Sequence, residues 1–415
     1  MNVAVFHPGT QHSWQTALAL QQLNRLAWYA TSIFYQPDRF PYRLERMLPA
    51  PLARRAKAEF RRVSHPGLDP ALVRTTGLAE WIERAASRAG WREAARRIDM
   101  WGNRRFVDGI AKDIRSPEPF ALWGYNGSSA TSFALAREYG RTCILDRTNG
   151  DFRVYNAMMA EVADRFGAWF LPVEREVPQS TVAEDDREYA LADTILVGSP
   201  FAEQTIRQAV PDQSIHDKLR VLEYCYDEAL FAAAPPPRPV DRKGPVKFLF
   251  LGLVIPRKGI HHVLEALARI PASQAELTIV GEMRVPAAAF APFAGRVNFR
   301  PTVARADVPA IMREHHVLVL PSYFEGARIV LYEALASGCA LIQSDRCTPA
   351  VSEKTGILLD CLDTDAVHAA MLAAIEDRDR LDFWRSNAMR EAEAFNFAHY
   401  REKIARLLAD LGLDG

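Results

Sequence analysis

Short, continuous apolar runs alternate with segments of helical spacing along most of the chain. After residue 245 the runs VKFLFLG, AELTIVG, VNFRP, HVLVLPS and CALIQS predict strands, and IHHVLEALARI, ADVPAIMREH and ARIVLYEALASG predict the helices between them. Strands buried on both faces of a parallel sheet are apolar throughout, and alternation with helices is typical of a doubly wound sheet. The runs NVAVFHP, FALWGYNG, TCILDRTNG, TILVGSP and LRVLEY predict a second such sheet in the first half. The pattern predicts two α/β domains in tandem, with the ligand site in the cleft between them.

A proline cluster, AAAPPPRPVDRKGP at residues 232–245, interrupts this pattern and predicts a linker. The final segment, FAHYREKIARLLADLG, is amphipathic and is expected to pack back on the first domain. The predicted boundaries are an N-terminal domain at 1–234, a linker at 235–245, a second domain at 246–397 and a C-terminal helix at 398–415.

Residues 38–105 differ in charge from the rest of the chain. They contain sixteen Lys or Arg and eight Asp or Glu, and the segments ARRAKAEFRR and WREAARR predict helices with arginine faces. One interpretation is a solvated helical insertion. The other is a surface that rests on anionic lipid headgroups or holds a lipid-linked acceptor.

Composition excludes several classes of protein. The 415 residues include 51 basic and 51 acidic side chains, whereas a nucleic-acid-binding protein is usually more basic. No run of eighteen apolar residues predicts a membrane span, and the N-terminus lacks the pattern of a signal peptide. Five scattered cysteines without C-x-x-C spacing are interpreted as reduced thiols, with neither zinc nor disulfides. These features favour a cytoplasmic protein, and contact with the inner face of a membrane stays open.

Two glutamates eight positions apart stand out in PSYFEGARIVLYEALASGCA. A helix that begins just after Gly326 would present free N–H groups to an anion at the carboxyl end of the preceding strand. Glu325 would lie in the turn, and Glu333 would lean back toward the same place, because helical side chains point toward the N-terminus. Carboxylates accept hydrogen bonds from sugar hydroxyls, so the pair suits a nucleotide-sugar. The alternative is that Glu325 caps the helix and Glu333 is a helix-surface residue.

Two further glycine turns follow predicted strands. Gly252 is followed by Lys258 at the entrance of a helix, and Gly281 is followed by Glu282. A lysine in that position would supply a compact positive charge for a diphosphate leaving group. The ends of three strands are therefore expected to converge on one site.

The segments FLGLVIPRKGIHHVLEAL, ELTIVGE, VNFRPTVARADVPAIMREHHVLVLPSYFEGARIVLYEALASGCALIQSD and EKTGILLD, and more weakly DDREYALADTILVGSPFAEQTI, resemble the GT-B glycosyltransferases, specifically glycosyltransferase family 4. The resemblance implies transfer of a sugar from a nucleoside diphosphate donor with retention of configuration and no required metal or other cofactor. It implies that Lys258 holds the diphosphate, Glu333 the ribose, and Glu325 with the amides after it the donor sugar. The expected donor-binding set is Gly252, Lys258, Gly281, Glu282, Glu325, Gly326, Ala327, Arg328, Ile329 and Glu333. The expected catalytic residues are Lys258, Glu325 and Arg328.

The chain departs from the family's pattern at the diphosphate. Leu253 stands where an arginine is common, and Arg328 stands where glycine or proline is common. We hypothesise that Arg328 or Arg257 restores the missing charge.

The acceptor side departs as well. Members of the family often have histidine after the strands that correspond to FALWGYNG and TCILDRTNG, whereas this chain has Tyr125, Asn126 and Arg147 there. In the loop HPGTQHSWQ, Gly9 would permit close approach of the backbone, and His12 would either contact the acceptor or the donor phosphate, or face water. These five residues are the acceptor-side candidates.

The expected partners are a nucleoside diphosphate sugar and a glycan or lipid-linked acceptor, as in the assembly of bacterial polysaccharide or glycolipid. A nucleotide-sugar epimerase or phosphorylase on the same fold is an alternative, and a catalytically silent GT-B scaffold is another. Their products distinguish them, since a scaffold yields none, an epimerase yields an isomer, and a transferase yields a new glycosidic bond.

The sequence DTD at Asp363 to Asp365 looks like a metal-binding pair, but we interpret it as a helix cap.

Overall fold

The protein forms two compact units in a computed structural model, which describes residues 1–9, 12–36, 42–43, 48–49, 65, 67–75, 106–171, 176–231 and 235–414. The first unit comprises Met1–Arg147, Ala183–Leu196 and Arg401–Gly415, and the second comprises Thr148–Val182 and Val197–Tyr400. Residues 148–182 and 197–231 group with the C-terminal half in this division by contacts. The predicted domain boundaries stay a prediction. The arginine-rich insertion at 38–105 lies mostly outside the described residues.

The first sheet has seven strands in the order β3-β2-β1-β4-β5-β6-β7. β1 pairs in parallel with both β2 and β4, so it lies inside the sheet between them. The strands are β1 Asn2–Phe6, β2 Leu26–Thr31, β3 Val73–Thr75, β4 Phe120–Tyr125, β5 Cys143–Arg147, β6 Thr194–Val197 and β7 Leu219–Val221.

The second sheet has six parallel strands in the order β10-β9-β8-β11-β12-β13. Its strands are β8 Val246–Leu251, β9 Ala275–Val280, β10 Val297–Arg300, β11 Val317–Leu320, β12 Ala340–Gln343 and β13 Gly356–Leu358. Both sheets have the strand order of a Rossmann fold, in which the chain winds first to one side of the first strand and then to the other.

Helices connect the strands, as the alternating pattern predicts. In chain order they are α1 Ser13–Gln22, α2 at 106–114, α3 Ala130–Glu138, α4 Phe152–Phe166, α5 Gln179–Leu191, α6 Pro200–Ala209, α7 Gln213–His216, α8 Glu228–Phe231, α9 Ile260–Ala268, α10 Ala287–Phe290, α11 Val308–Arg313, α12 Ile329–Ala336, α13 Thr364–Glu376, α14 Arg378–Ala392 and α15 Phe397–Asp410.

Apolar strand residues form the cores. Val3 to Phe6 in β1 and Leu318 to Leu320 in β11 are buried, as expected for strands covered on both faces. All ten strands predicted from apolar runs are present, so the doubly wound fold is confirmed. β2, β3 and β13 were not predicted.

Residues 235–245 contain neither helix nor strand. This proline-rich segment is nevertheless docked on α14. Val240 N donates to Asp382 Oδ1 at 2.8 Å, and Arg385 Nη1 donates to Arg238 O at 2.6 Å. Val240 is also buried in the core of the second unit. The segment is therefore held along part of its length.

Candidate functional site

The strand order of the second sheet determines where a ligand is expected. The order reverses between β8 and β11, and in open α/β sheets ligands bind beyond the carboxyl ends of the strands at such a reversal. The loop at 252–259 follows β8, and the loop at 321–328 follows β11. These two loops contain most of the predicted donor-binding residues.

Lys258 is held against the backbone of the first loop. Its side chain is buried, and a Cβ built on Gly252 would lie 2.2 Å from Lys258 Nζ. Gly252 has φ of +129°, a backbone conformation that favours glycine. A Cβ on Gly281 would lie 1.9 Å from Gly252 O. The ends of β8 and β9 therefore meet at these glycines, as predicted.

Glu325 is buried, with 3% of its surface exposed. Its Oε2 accepts a hydrogen bond from Arg257 Nη1 at 2.8 Å and is ion-paired with the Arg328 guanidinium. Its Oε1 accepts from Ser322 Oγ at 3.1 Å. Arg257 also donates to Phe324 O at 2.6 Å, so one guanidinium holds both the carboxylate and the main chain of the second loop. Because both carboxylate oxygens have protein partners, Glu325 anchors the two arginines. Its contact with a donor sugar stays a prediction.

Burial and charge shift the pKa values of this cluster in opposite directions. Burial is the main cause that lowers the pKa of Lys258 to about 7, and the Arg328 charge lowers it further. Burial would raise the pKa of Glu325, but the charges of Arg328, Arg257 and Lys258 outweigh it and lower that pKa to about 2. With Lys258 protonated, three cations surround one carboxylate, which gives the cluster a net charge of two positive units.

The loop after β11 packs closely on the second unit's own segments. A Cβ on Gly326 would lie 1.9 Å from Thr148 O, and Ser199 Oγ donates to Gly326 O. The helix begins at Ile329 with Arg328 as its N-cap, two residues later than predicted. Arg328 N donates to Thr348 Oγ1 at 3.2 Å, which satisfies an N–H group that has no acceptor within the helix. Ala327 lies between Gly326 and this cap.

Glu333, the second glutamate, pairs with a different arginine from the two that contact Glu325. It is buried, and its Oε1 accepts from Arg305 Nη2 at 2.7 Å. Burial raises the pKa of Glu333, and the Arg305 charge opposes that effect. Arg305 is 57% exposed, so a ribose could displace it without leaving a buried cation. The ribose contact stays a prediction.

A cavity of about 280 Å³ adjoins the cluster within the second unit. Its wall includes Arg257 and the departing residue Leu253, together with Tyr155 and Arg284. Arg284 Nε donates to Glu282 Oε1 at 3.0 Å, so the predicted Glu282 lies at the edge of this region.

The acceptor-side candidates lie in the first unit, at or just after the carboxyl ends of β1, β4 and β5. Tyr125 is buried, and its hydroxyl is hydrogen-bonded to Thr16 Oγ1 at 2.8 Å. Arg147 is also buried and pairs with Asp185 Oδ1 at 2.5 Å. Asn126 follows Tyr125 and is partly exposed. Tyr125 and Arg147 thus support the ends of their strands, and contact with an acceptor stays a prediction.

The N-terminal loop contributes one residue that the sequence analysis did not single out. His7 is half-buried, and the centroid of its ring lies 5.1 Å from that of Tyr125. Burial lowers the pKa of His7, so the ring is neutral near pH 7. Gly9 O accepts from Thr31 Oγ1 at 3.2 Å, and His12 is the N-cap residue of α1 without a side-chain capping bond.

Two buried acids in α5 were also missed. Glu188 Oε1 accepts from Ser129 N at 2.7 Å, and its Oε2 accepts from Gly127 N at 2.9 Å. Burial raises the pKa of Glu188 to about 7, although these two hydrogen bonds oppose the shift. Asp185 and Glu188 are three residues apart in DDREYALAD, a spacing that places them on one helix face. That spacing was the signal available in the sequence.

The interpretation of the DTD segment is confirmed. Asp363 is the N-cap of α13, and its Oδ1 accepts from Ala366 N at 2.8 Å. In the described part of the chain, His, Cys, Asp and Glu side chains form no group of three suited to a metal ion. Within the same ranges, none of the helices combines the length and the apolar composition needed to cross a bilayer.

Comparison with known proteins agrees with the strand order. Residues 245–377 match the family model described as "Glycosyl transferases group 1". D-inositol 3-phosphate glycosyltransferase of Rhodococcus opacus (strain B4) is 28% identical over 167 residues, which cover 36% of this chain and 37% of that protein. Sucrose-phosphate synthase from Thermosynechococcus elongatus has a TM-score of 0.64 and 16% identity, with 100% of both chains covered. Anabaena Alr3699/HepE in complex with UDP-glucose has a TM-score of 0.60 and 12% identity, with 99% of this chain and 100% of that chain covered.

The structural likenesses show the fold, which is a GT-B fold of two Rossmann-like domains, as predicted. The resemblance to GT-B glycosyltransferases is confirmed, and membership of family 4 stays a prediction. The curated match spans just over a third of that relative's length, so it describes a segment and leaves the activity of the whole chain open.

Proposed function

We propose that this chain is a retaining glycosyltransferase that moves a sugar from a nucleoside diphosphate donor to a hydroxyl group of a glycan or lipid-linked acceptor. The single observation that carries the proposal is the buried cluster of Lys258, Arg257 and Arg328 around Glu325. It lies where the strand order of a Rossmann-like sheet reverses, and such a position suits a nucleotide.

Charge complementarity supports a diphosphate as the ligand. The cluster has a net charge of two positive units when Lys258 is protonated, and its guanidinium groups are fixed by Glu325 and Phe324 O. A departing diphosphate gains negative charge as its bond to the sugar breaks. Cations that are already in place stabilise that charge without reorganisation during the reaction. The arginines at 257 and 328 would thus replace the one absent at Leu253.

The proposed reaction is a transfer with retention of configuration at the anomeric carbon. The bond between the anomeric carbon and the diphosphate oxygen breaks, and the electron pair leaves with the diphosphate. The acceptor oxygen forms the new bond on the same face, and its proton passes to the departing phosphate. Lys258 and the two arginines hold the phosphate oxygens throughout, and Glu325 keeps the arginines in place. No protein base is required in this scheme. The scheme is therefore consistent with Tyr125 and Asn126, which stand where members of the family often have histidine.

The solved complex of Alr3699/HepE contains UDP-glucose, so UDP is the first nucleotide to test. Thermal shift against UDP, GDP, ADP and CMP would identify the base, because a ligand that binds only the folded state raises the melting temperature. The matching nucleotide-sugars would then be incubated with glycan and lipid-linked acceptors, and the products analysed.

A new glycosidic bond of unchanged anomeric configuration is the expected product. An isomerised donor without an acceptor would instead indicate an epimerase. If no nucleotide binds, the result would indicate the catalytically silent scaffold instead. Arg328→Ala tests the arginine hypothesis, since unchanged donor affinity in that variant, with loss in Lys258→Ala, would exclude a role for Arg328.

A further inference from the structure

Two adjacent histidines at the start of α9 differ in their surroundings. His261 and His262 are both buried, and their ring centroids lie 4.1 Å apart. Both ring nitrogens of His261 lack a hydrogen-bond partner among the described residues, and its ring stacks nearly parallel to Tyr323 at 5.9 Å. His262, in contrast, has a partner on each ring nitrogen. The His262 ring therefore belongs to a hydrogen-bond network, whereas the His261 ring packs among aromatic side chains.

The partners of His262 join three elements of the second unit. Its Nε2 is 2.6 Å from the Tyr323 hydroxyl in the loop after β11, and its Nδ1 is 2.9 Å from Thr364 Oγ1 at the start of α13. Thr364 Oγ1 in turn donates to Glu265 Oε2 at 2.7 Å, one helical turn further along α9. The result is a relay of three hydrogen bonds, of which the two made by His262 are buried.

The chemistry of these groups fixes the direction of each hydrogen bond. A hydroxyl has one proton, and Thr364 gives its proton to Glu265, so Thr364 must accept from His262 Nδ1–H. A neutral imidazole has one N–H, so Nε2 is the acceptor and Tyr323 O–H donates to it. Burial lowers the pKa of His262 to about 4, which keeps the ring neutral at physiological pH. His262 is therefore the Nδ1–H tautomer.

This hydrogen-bond relay connects the two loops of the candidate site. His262 lies one turn into the helix that follows Lys258, and Tyr323 lies two residues before Glu325. Tyr323 N also donates to Arg257 O at 2.8 Å. The hydroxyl and the amide of Tyr323 are thus both attached to the segment that carries Lys258 and Arg257.

We propose that His262 and Tyr323 are positioning residues, which fix the loop bearing Glu325 at the correct distance from Lys258 through a hydrogen-bond relay of defined direction. The proposal rests on the proposed function, since it concerns the anion site of that function. Without the relay the loop would sample other positions, and the cationic cluster would be less well organised for a diphosphate. His261 contributes only its ring to the packing.

The adjacent histidines provide a matched control. His262→Phe and Tyr323→Phe each remove a hydrogen-bonding group and keep an aromatic ring, whereas His261→Phe removes two nitrogen atoms that lack partners. Calorimetry with UDP, or with GDP or ADP if one of those binds, should show a three- to tenfold weaker affinity for His262→Phe and for Tyr323→Phe, as loss of one buried neutral hydrogen bond implies about this factor. The double variant should be no weaker than either single variant, because both break the same relay. Thr364→Ser should retain affinity, and Thr364→Val should lose it.

Some outcomes would overturn the relay. Equal losses in His261→Phe and His262→Phe would mean that ring packing alone matters, and additive losses in the double variant would mean independent contacts. Unchanged affinity in both His262→Phe and Tyr323→Phe would also exclude the proposal.

Two measurements do not depend on the function. Imidazole ¹⁵N chemical shifts should assign His262 to the Nδ1–H tautomer at pH 7, and hydrogen exchange at residues 321–328 should be faster in His262→Phe than in His261→Phe. If no nucleotide binds the unaltered protein, the proposed function fails and these two measurements still decide the relay. The Nε2–H tautomer, or equal exchange in the two variants, would refute it.

Discussion

Raising the pH from 7.5 to 9.0 should weaken nucleoside diphosphate binding through the loss of one proton from Lys258. The pKa of Lys258 is about 7 in the ligand-free protein, because the ammonium is buried beside Arg328 and Arg257. A diphosphate in contact with this ammonium favours its charged form and would raise the pKa again. Binding above pH 7 therefore requires uptake of a proton, and its affinity falls as protons become scarcer.

The size of the effect follows from the protonated fraction of the free protein. With a pKa of about 7, that fraction falls from roughly a quarter at pH 7.5 to about one hundredth at pH 9.0. The dissociation constant for UDP should rise about twentyfold, or about 2 kcal/mol, over this interval. The second pKa of a phosphate group is about 6, so UDP is almost fully ionised at pH 7.5 and contributes little to the change in affinity. The pKa of Glu325 is about 2, so its carboxylate stays charged throughout.

Isothermal titration calorimetry in two buffers of different ionisation enthalpy would measure both affinity and proton uptake. The unaltered protein should take up close to one proton per UDP at pH 8.5. Lys258→Arg is the matched control, because arginine stays charged and should bind UDP with little dependence on pH. Flat affinity between pH 7.5 and 9.0 in the unaltered protein, with no proton uptake, would refute the coupling of Lys258 protonation to diphosphate binding.

Three further predictions concern packing, a buried ion pair and metal. Gly326→Ala should lower the free energy of unfolding by about 1–3 kcal/mol, because the new Cβ would meet Thr148 O, and Gly295→Ala, where the space is open, should change it by less than about 0.5 kcal/mol in the same urea titration. Arg147→Met should cost about 3–5 kcal/mol by leaving the Asp185 carboxylate buried without its cation, and adding Asp185→Leu should restore much of that loss in thermal unfolding; an unimproved double variant would contradict this. Sugar transfer should persist in EDTA at its full rate, and dependence of that rate on added Mg²⁺ or Mn²⁺ would contradict the metal-independent scheme.

The regular part of the fold could be predicted because its signal is local. Strands such as Val246–Leu251 and Val317–Leu320 are covered on both faces and read as apolar runs in one window of the sequence. Leu26–Thr31 was missed for an equally local reason. Helical spacing continues from α1 through QQLNRLAW without glycine or proline, and the chain instead turns at Asn24, which adopts φ of +56°. Asparagine tolerates this conformation better than most residues, but it is a weak signal.

The site could be predicted only in part. Gly252 directly follows β8, and Lys258 and Gly326 lie in the loops after β8 and β11, where sequence position alone indicates the end of the sheet that they occupy. The hydrogen bond from Arg257 to Glu325 joins residues 68 positions apart, and no spacing rule reports which of several arginines reaches a buried carboxylate. The partner of Glu333 was missed for the same reason. The tertiary fold determines which partner a long side chain can reach.

The low pKa of Lys258 has a consequence for anyone who engineers this protein. A folded state that disfavours the charged form of a buried lysine is less stable than it would be with an uncharged side chain of similar length. Selection for heat resistance alone would therefore favour Lys258→Met, and the hardier variants would be the ones that no longer bind a nucleotide.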